Sequence, residues 1–113
     1  AGGSAANRKA QKETKRPTKV TYWPNGQKRL EEHWKDDKQD GLETAWYENG
    51  KKEFELHYKD SKQEGLGTRW WENGKKMSEA HYKNGKRDGL ATEWNANGQK
   101  LNEKHYKNGK RVR

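Results

Sequence analysis

Residues 70–93 read WWENGKKMSEAHYKNGKRDGLATE, and closely similar sequence occurs almost four times in the chain. Asn-Gly recurs every 24 residues, at 25–26, 49–50, 73–74 and 97–98. Four histidines recur with the same spacing of 24 residues, at His33, His57, His81 and His105. A fixed period of this length predicts a stack of one small supersecondary unit, with stability shared between neighbouring units. Function is therefore expected on the surface of the stack, since nothing in the pattern indicates a single active site.

The composition predicts one domain with a thin core. Of 113 residues, 26% are hydrophobic and 38% are charged. Residues 1–17 show no apolar period and end at Pro17, which predicts a basic tail or linker. Residues 18–113 form the expected repeat domain, with units starting at 22, 46, 70 and 94 and the last unit incomplete. The sequence leaves the cellular compartment open.

The net charge of +9 is concentrated at the amino-terminal end. Residues 1–19 carry six basic side chains against Glu13 alone. A short basic segment favours anionic surfaces, such as a lipid or a polymer, without selecting one. The candidate residues for such contact are Arg8, Lys9, Lys12, Lys15, Arg16 and Lys19.

Alternating apolar and polar residues from Thr18 onward predict half-buried strands. Each unit contributes one strand like 42–46 and a second strand like 52–59. Reversals at Asn-Gly join the two strands of a unit, and a second reversal joins one unit to the next. The sequence thus predicts an all-β fold: an elongated, single-layer antiparallel meander of 24-residue hairpins with about eight strands.

Turn length decides which side chains share a face of the sheet. A three-residue loop at 48–50 pairs Trp46 with Lys52 and Thr44 with Phe54, gathering the apolar side chains on one face. A two-residue loop at 49–50 would instead place Trp46 with Glu53, Glu55 and His57. We prefer the first, which also suits a type I turn followed by a left-handed glycine. The predicted turn glycines are Gly26, Gly50, Gly74, Gly85, Gly98 and Gly109.

The connection between units is predicted on the same reasoning. Lys83-Asn84-Gly85 is expected to be a three-residue loop. The equivalent pairs Asp36-Asp37 and Asp60-Ser61 tolerate positive φ less well than Asn-Gly, so longer or looser loops are expected there.

A row of aromatic residues, called the aromatic ladder below, is the feature of the sequence that most indicates function. The preferred register places eight rings on one face: Tyr22, Trp34, Trp46, Tyr58, Trp70, Tyr82, Trp94 and Tyr106. These rings either form the whole core or receive a partner, and both interpretations stay open. Parity places Trp23, Tyr47 and Trp71 on the opposite face, where they have no core to join. The candidate partner-binding residues are Trp23, Tyr47, Trp71, Trp34, Trp46, Tyr58, Trp70, Tyr82 and Trp94.

Other functions fit the residues less well. Each unit carries Glu-x-His, but equivalent histidines lie two strands apart, roughly 9–10 Å, too far to share one metal ion. We therefore expect no metal site and no cofactor. Nucleic-acid binding is disfavoured by the near balance of charge in the repeats, and catalysis by the lack of a nucleophile–base set. The open edge near 100–107 could support self-association.

Three stretches carry a resemblance to a known family. WYENGKK at 46–52, WWENGKK at 70–76 and HYKNGKRDGL at 81–90 resemble the MORN (membrane occupation and recognition nexus) repeats, closest to their bacterial variant. The resemblance implies a run of antiparallel hairpins used for interaction rather than catalysis, with another protein as partner. Similar bacterial proteins are commonly labelled antitoxins of the YwqK type, and eukaryotic relatives are associated with phospholipid and protein binding.

Overall fold

The structure is a computed structural model and describes residues 18–113. This part of the chain contains eleven strands and no helix. It therefore has no helix that could span a membrane. The strands are β1 (Thr18–Tyr22), β2 (Lys28–Lys35), β3 (Lys38–Gln39), β4 (Gly41–Trp46), β5 (Lys52–Lys59), β6 (Lys62–Gln63), β7 (Gly65–Trp70), β8 (Lys76–Lys83), β9 (Lys86–Trp94), β10 (Lys100–Lys107) and β11 (Lys110–Val112).

All strands belong to one open antiparallel sheet, which confirms the predicted all-β meander. The order along the sheet is β1-β2-β4-β5-β7-β8-β9-β10-β11, with β3 paired to β2 and β6 paired to β5. The principal extents of 59 × 36 × 15 Å describe a long, thin ribbon. The strand count exceeds the predicted eight because short segments after the second reversal also pair with the sheet.

The reversal within each unit is the predicted three-residue loop. In the second unit, Gly50 N–H donates to the carbonyl of Tyr47 at 2.9 Å, and Tyr47 N–H donates to that of Lys51 at 2.8 Å. Gly50 has φ of 87°, the left-handed region that glycine adopts at least cost. As predicted, Trp46 lies opposite Lys52.

The predicted register beyond this loop is wrong. The next pair is Ala45 with Phe54, not Thr44 with Phe54, because Glu53 is an extra residue on β5. This β-bulge moves every following side chain of β5 to the other face. Thr44 therefore lies opposite Glu55, the neighbour expected for the rejected two-residue loop. The same insertion occurs in the other units, at Arg29, Met77 and Leu101.

The expectation for the reversals between units is also wrong. All four are two-residue loops, since Lys35 pairs with Lys38 and Lys83 pairs with Lys86, with equivalent pairs in the other copies. Both loop residues have positive φ, including Asp36 at 50° and Asp37 at 64°. Such primed turns match the right-handed twist of the flanking strands, which favours them over longer loops.

Contacts between successive turns help to hold the non-glycine residues in this conformation. Ser61 has φ of 67°, its N–H donates to the carbonyl of Gln39 at 2.8 Å, and its hydroxyl accepts from the N–H of Gln39 at 3.1 Å. The corresponding amides of Gly85 and Gly109 donate to the carbonyls of Gln63 and Arg87. The turns at 60–61, 84–85 and 108–109 are therefore each bonded to the strand that follows the preceding turn.

The observed register gives the sheet two different faces. The Thr face has Thr44, Thr68 and Thr92 at its centre, and these side chains are 5–7% exposed. The Ala face has Ala45, Ala80 and Ala91 at its centre, together with Leu56, and these are 4–8% exposed. No side chain within residues 18–113 is completely buried. The sheet therefore has a thin row of buried side chains on each face rather than one thick core.

Asparagine side chains link the three-residue loops into a ladder. Asn25 Nδ2 donates to the carbonyl of Glu48 at 2.9 Å, and Asn73 Nδ2 donates to that of Ala96 at 2.8 Å. The Oδ1 atoms of these asparagines accept backbone amides of their own loops, such as Lys75 N at 2.9 Å from Asn73. Each asparagine thus joins its own turn to the turn of the next unit.

Aromatic side chains beside these loops make a second set of links. Trp23 Nε1 donates to the carbonyl of Trp46 at 2.9 Å, Tyr47 Oη to that of Trp70 at 2.6 Å, and Trp71 Nε1 to that of Trp94 at 3.3 Å. All three rings are half-buried. The sequence predicted that these aromatics have no core to join and are candidates for contact with a partner. Their hydrogen bonds show that they also join neighbouring units.

We expect Asn73→Asp to lower the free energy of unfolding by about 1 kcal/mol, as measured by urea denaturation. The new carboxylate can still accept a hydrogen bond from Lys75 N. It can no longer donate to the Ala96 carbonyl, and the oxygen of that carbonyl repels its negative charge. Asn97→Asp is the matched control, since Asn97 occupies the same place in the last loop but makes no side-chain hydrogen bond within residues 18–113. Equal losses of unfolding free energy in the two variants would contradict the proposed role of the asparagine side chains in linking the loops.

Tyr47→Phe should also lower the free energy of unfolding by about 1 kcal/mol at neutral pH, because it removes the bond to the Trp70 carbonyl. Tyr22→Phe is the control, because the side chain of Tyr22 is 58% exposed. Its unfolding free energy should stay within about 0.5 kcal/mol of the parent.

The same tyrosine should make stability depend on alkaline pH. Burial, with the charges of Glu53 and Glu72, raises the pKa of Tyr47 above its ordinary value of 10.0. The unfolded chain then loses this proton first, so the stabilisation is complete below about pH 10 and is lost as pH rises through the folded pKa. Urea denaturation between about pH 8 and pH 11 should show a smaller loss for Tyr47→Phe than for the parent. Parallel losses would contradict the assignment.

Candidate interaction surface

Small side chains at the centre of the Ala face leave a groove along the sheet. Gly67 lies beside two larger neighbours: a Cβ there would be 2.9 Å from Leu56 Cδ2 and 3.6 Å from Tyr82 Cε1. Gly67, Ala80 and Ala91 form the floor of an open groove of about 390 Å³ across β7–β10. Leu56 and Tyr82 lie over Gly67, and Ala80 and Ala91 are each 8% exposed, so a partner would contact the larger side chains around these small residues.

Arginines stacked on aromatic rings form the walls of this groove. Arg69 Cζ lies 5.2 Å from the ring centre of Phe54, and Arg87 Cζ lies 5.3 Å from that of Tyr106. Arg87 Nη1 also donates to Tyr106 Oη at 3.4 Å. Hydrogen bonding to Tyr82, and less strongly to Tyr106, raises the pKa of Arg87 against the opposing effect of burial. Stacking restricts the guanidinium groups and leaves their planar donors available to a ligand.

The turn aromatics extend the surface toward one margin of the sheet. Tyr47, Trp71 and Met77 line a second, more open depression of about 500 Å³. Met77 borders the groove as well, so the two concave regions adjoin. The Ala face therefore carries rings at both margins: Trp34, Tyr58, Tyr82 and Tyr106 on the two-residue-turn side, and Trp23, Tyr47 and Trp71 at the three-residue loops.

The predicted single aromatic ladder is divided between the two faces. Trp46 projects to the Thr face and Tyr58 to the Ala face, because the extra residue at each bulge reverses the alternation. The Thr face has Tyr22, Trp46, Trp70 and Trp94, which alternate with Lys28, Lys52, Lys76 and Lys100.

On the Thr face, charged side chains are paired with each other. Lys28 Nζ lies 2.7 Å from Glu31 Oε1 and 5.9 Å from the ring centre of Trp46. The equivalent pairs Lys52–Glu55, Lys76–Glu79 and Lys100–Glu103 are 2.6, 2.7 and 2.9 Å apart. These exposed pairs contribute little stability individually, but they neutralise the Thr face and cover its threonines.

The histidines lie on the Thr face and are spread along it. His33 Nε2 is 3.2 Å from Glu31 Oε2, and His81 Nδ1 is 3.0 Å from the carbonyl oxygen of Leu90. Residues 18–113 contain no group of three or more histidine, aspartate or glutamate side chains arranged to hold a metal ion.

A comparison of the four units shows which positions vary. The Thr face repeats Leu, Thr, Trp, Lys, Glu and His at fixed positions, with changes only in the first strand. The Ala face changes from unit to unit: the position of Gly67 holds Lys19, Glu43 and Ala91 in the others. Sequence reasoning missed Gly67, Arg69 and Arg87, although this variation between units was visible in the printed sequence.

The proposed anionic-surface residues are placed only in part. Lys19 lies on β1, with its Nζ 4.4 Å from the ring centre of Trp34. Arg8, Lys9, Lys12, Lys15 and Arg16 lie outside the described residues, as does the whole of the expected tail at 1–17.

Comparison with known proteins places the repeat in a family. The family model described as the MORN repeat variant matches four times in tandem, at residues 18–36, 39–60, 63–84 and 87–108. No curated protein gives a significant match to the chain. MORN repeats are generally thought to mediate protein or membrane-lipid interactions, and the proteins that contain them are typically non-enzymatic binding modules. Because the four matches cover most of the chain, this protein belongs to the MORN repeat variant family.

Proposed function

We propose that this chain is a non-enzymatic module that binds another protein along the groove of the Ala face. The observation that supports this most is the contrast between the two faces. Positions that repeat in every unit, such as Glu55, or in three of the four, such as Thr44, serve the sheet itself. Positions that differ between units, such as Gly67 and Ala91, line the groove. Repeat proteins use extended surfaces of this kind for recognition, with variation between units setting specificity.

Several candidate partner-binding residues belong to this surface. Tyr82 lines the groove, and Tyr58 and Trp34 lie on the same margin of the Ala face. Trp71 and Tyr47 line the adjoining depression. Trp46, Trp70 and Trp94, on the Thr face, are in our proposal structural and not part of the contact. The resemblance to antitoxin-labelled proteins supports an antitoxin-like or immunity-like role for the complex.

Photocrosslinking from the two faces tests the proposal. We expect p-benzoylphenylalanine at position 82, in the groove, to form a discrete protein adduct in extracts of the cells that make this protein. The same probe at position 94, on the Thr face, is the matched control because both native rings are half-buried. The adduct from position 82 should disappear when excess unlabelled chain is added. Adducts from position 94 only, equally from both positions, or from neither would contradict the proposal.

A second candidate function is attachment to anionic surfaces through the amino-terminal segment. Six lysines and arginines against a single glutamate in residues 1–19 favour it. Deletion of residues 1–17 should abolish sedimentation with vesicles containing anionic lipid, and the full chain should lose binding as salt concentration rises. Vesicles of zwitterionic lipid alone are the control. Unchanged sedimentation after the deletion would exclude this candidate.

A further inference from the structure

The positive charges in the groove differ from those on the other face in lacking internal partners. Arg69, Arg87 and Lys104 all line the groove. None of them forms an ion pair with a carboxylate of residues 18–113, whereas the pairs of lysine with glutamate all lie on the Thr face. The groove therefore presents unneutralised cations in a fixed arrangement.

Two glutamates also line the groove, and one of them, Glu79, is paired with Lys76 on the Thr face. Glu93 Oε1 accepts a hydrogen bond from Asn102 Nδ2 at 3.0 Å, a neutral donor that leaves the carboxylate negative. The three cations Arg69, Arg87 and Lys104 against Glu93 leave the groove with a net charge of 3 − 1 = +2. Arg69 and Arg87 are held by their stacking on Phe54 and Tyr106. A guanidinium group fixed in this way loses little further freedom when a carboxylate binds it through two parallel hydrogen bonds.

The charge of the Ala face is not uniform along the sheet. Over β1–β4 the face carries Glu32 and Glu43, with Lys19 opposite Glu32, and Glu43 Oε1 accepts from Gln39 Nε2 at 2.7 Å. Over β7–β10 it carries Arg69, Arg87 and Lys104 around the floor of small residues. A ligand that runs the full length of the face meets carboxylates at one end and cations at the other.

From these observations we propose that the groove across β7–β10 binds an acidic peptide segment of the partner protein. Carboxylates of the segment pair with Arg69, Arg87 and Lys104, while its backbone runs along the groove between these side chains. A peptide fits better than a nucleic acid, because a phosphate backbone that continued along the face would meet Glu43 and Glu32. This inference rests on the proposed function and adds the chemical class of the bound segment.

Binding of labelled peptides, followed by fluorescence anisotropy, tests the inference. The probe is a peptide of alternating glutamate and alanine, compared with a peptide of the same length in which glutamine replaces glutamate. We expect the full chain to bind the glutamate peptide at least about tenfold more tightly, with affinity falling as salt rises. Equal affinity for the two peptides, or no binding of the glutamate peptide, would overturn the acidic preference.

Matched variants distinguish the groove from the general positive charge of the chain. Arg69→Gln combined with Arg87→Gln should weaken binding at least about tenfold, because both guanidinium groups are lost. Lys52→Gln combined with Lys76→Gln removes the same charge from the Thr face, and its affinity should stay within about twofold of the parent. Thermal unfolding confirms that each variant is folded, and Arg69→Lys with Arg87→Lys should recover part of the affinity in the groove.

The remaining outcomes separate this inference from the proposed function. Equal weakening by the groove pair and the Thr-face pair would mean binding through net charge only, which overturns the inference. Tighter binding of a single-stranded oligonucleotide than of the glutamate peptide, lost in the groove pair, would assign the groove to nucleic acid and overturn both proposals. If glutamate and glutamine peptides bind equally but only the groove pair weakens them, the groove remains a peptide site and only the acidic preference fails.

Discussion

One extra residue after each three-residue loop determines what every surface of this protein presents. Without Glu53 as a bulge on β5, Trp46 and Tyr58 would share a face. With this bulge, Glu55 and His57 lie on the same face as Trp46, and Tyr58 lies on the same face as Ala45. Because the insertion recurs in all four units, its effect is the same along the whole sheet. The small-residue groove and the paired charges of the opposite face both follow from it.

A sheet of one layer must obtain its stability from contacts between neighbouring units. The buried rows on its faces are narrow, and no side chain of residues 18–113 is fully enclosed. Hydrogen bonds at both margins compensate, from Asn49 and Tyr47 to the next three-residue loop and from Ser61 to the preceding two-residue turn. These links explain why Asn-Gly and the turn aromatics recur at each period, since every unit needs the same connections to its neighbours.

The sequence predicted the period, the strands and the three-residue loops, because these depend on local spacing and on glycine at positive φ. It did not predict the faces, because counting residues in a turn assumes that pairing continues one to one beyond it. Nothing in Lys52-Glu53-Phe54 marks a bulge as distinct from regular strand. The two-residue turn at Asp60-Ser61 was missed because part of its support comes from Gln39 in the adjacent unit. Local propensity contains no information on that neighbour.

The different roles of the two faces explain how one short repeat can both hold the sheet together and bind a partner selectively. On the Thr face, each lysine equivalent to Lys28 has its own glutamate, so a ligand carboxylate would have to displace an existing partner. On the Ala face, Arg69 and Arg87 are ordered by rings, which take up no carboxylate. The same residue class is thus neutralised on one face and available on the other. Since the Ala-face positions change between units far more than the Thr-face positions, substitutions there can alter recognition while the contacts that hold the sheet together remain in place.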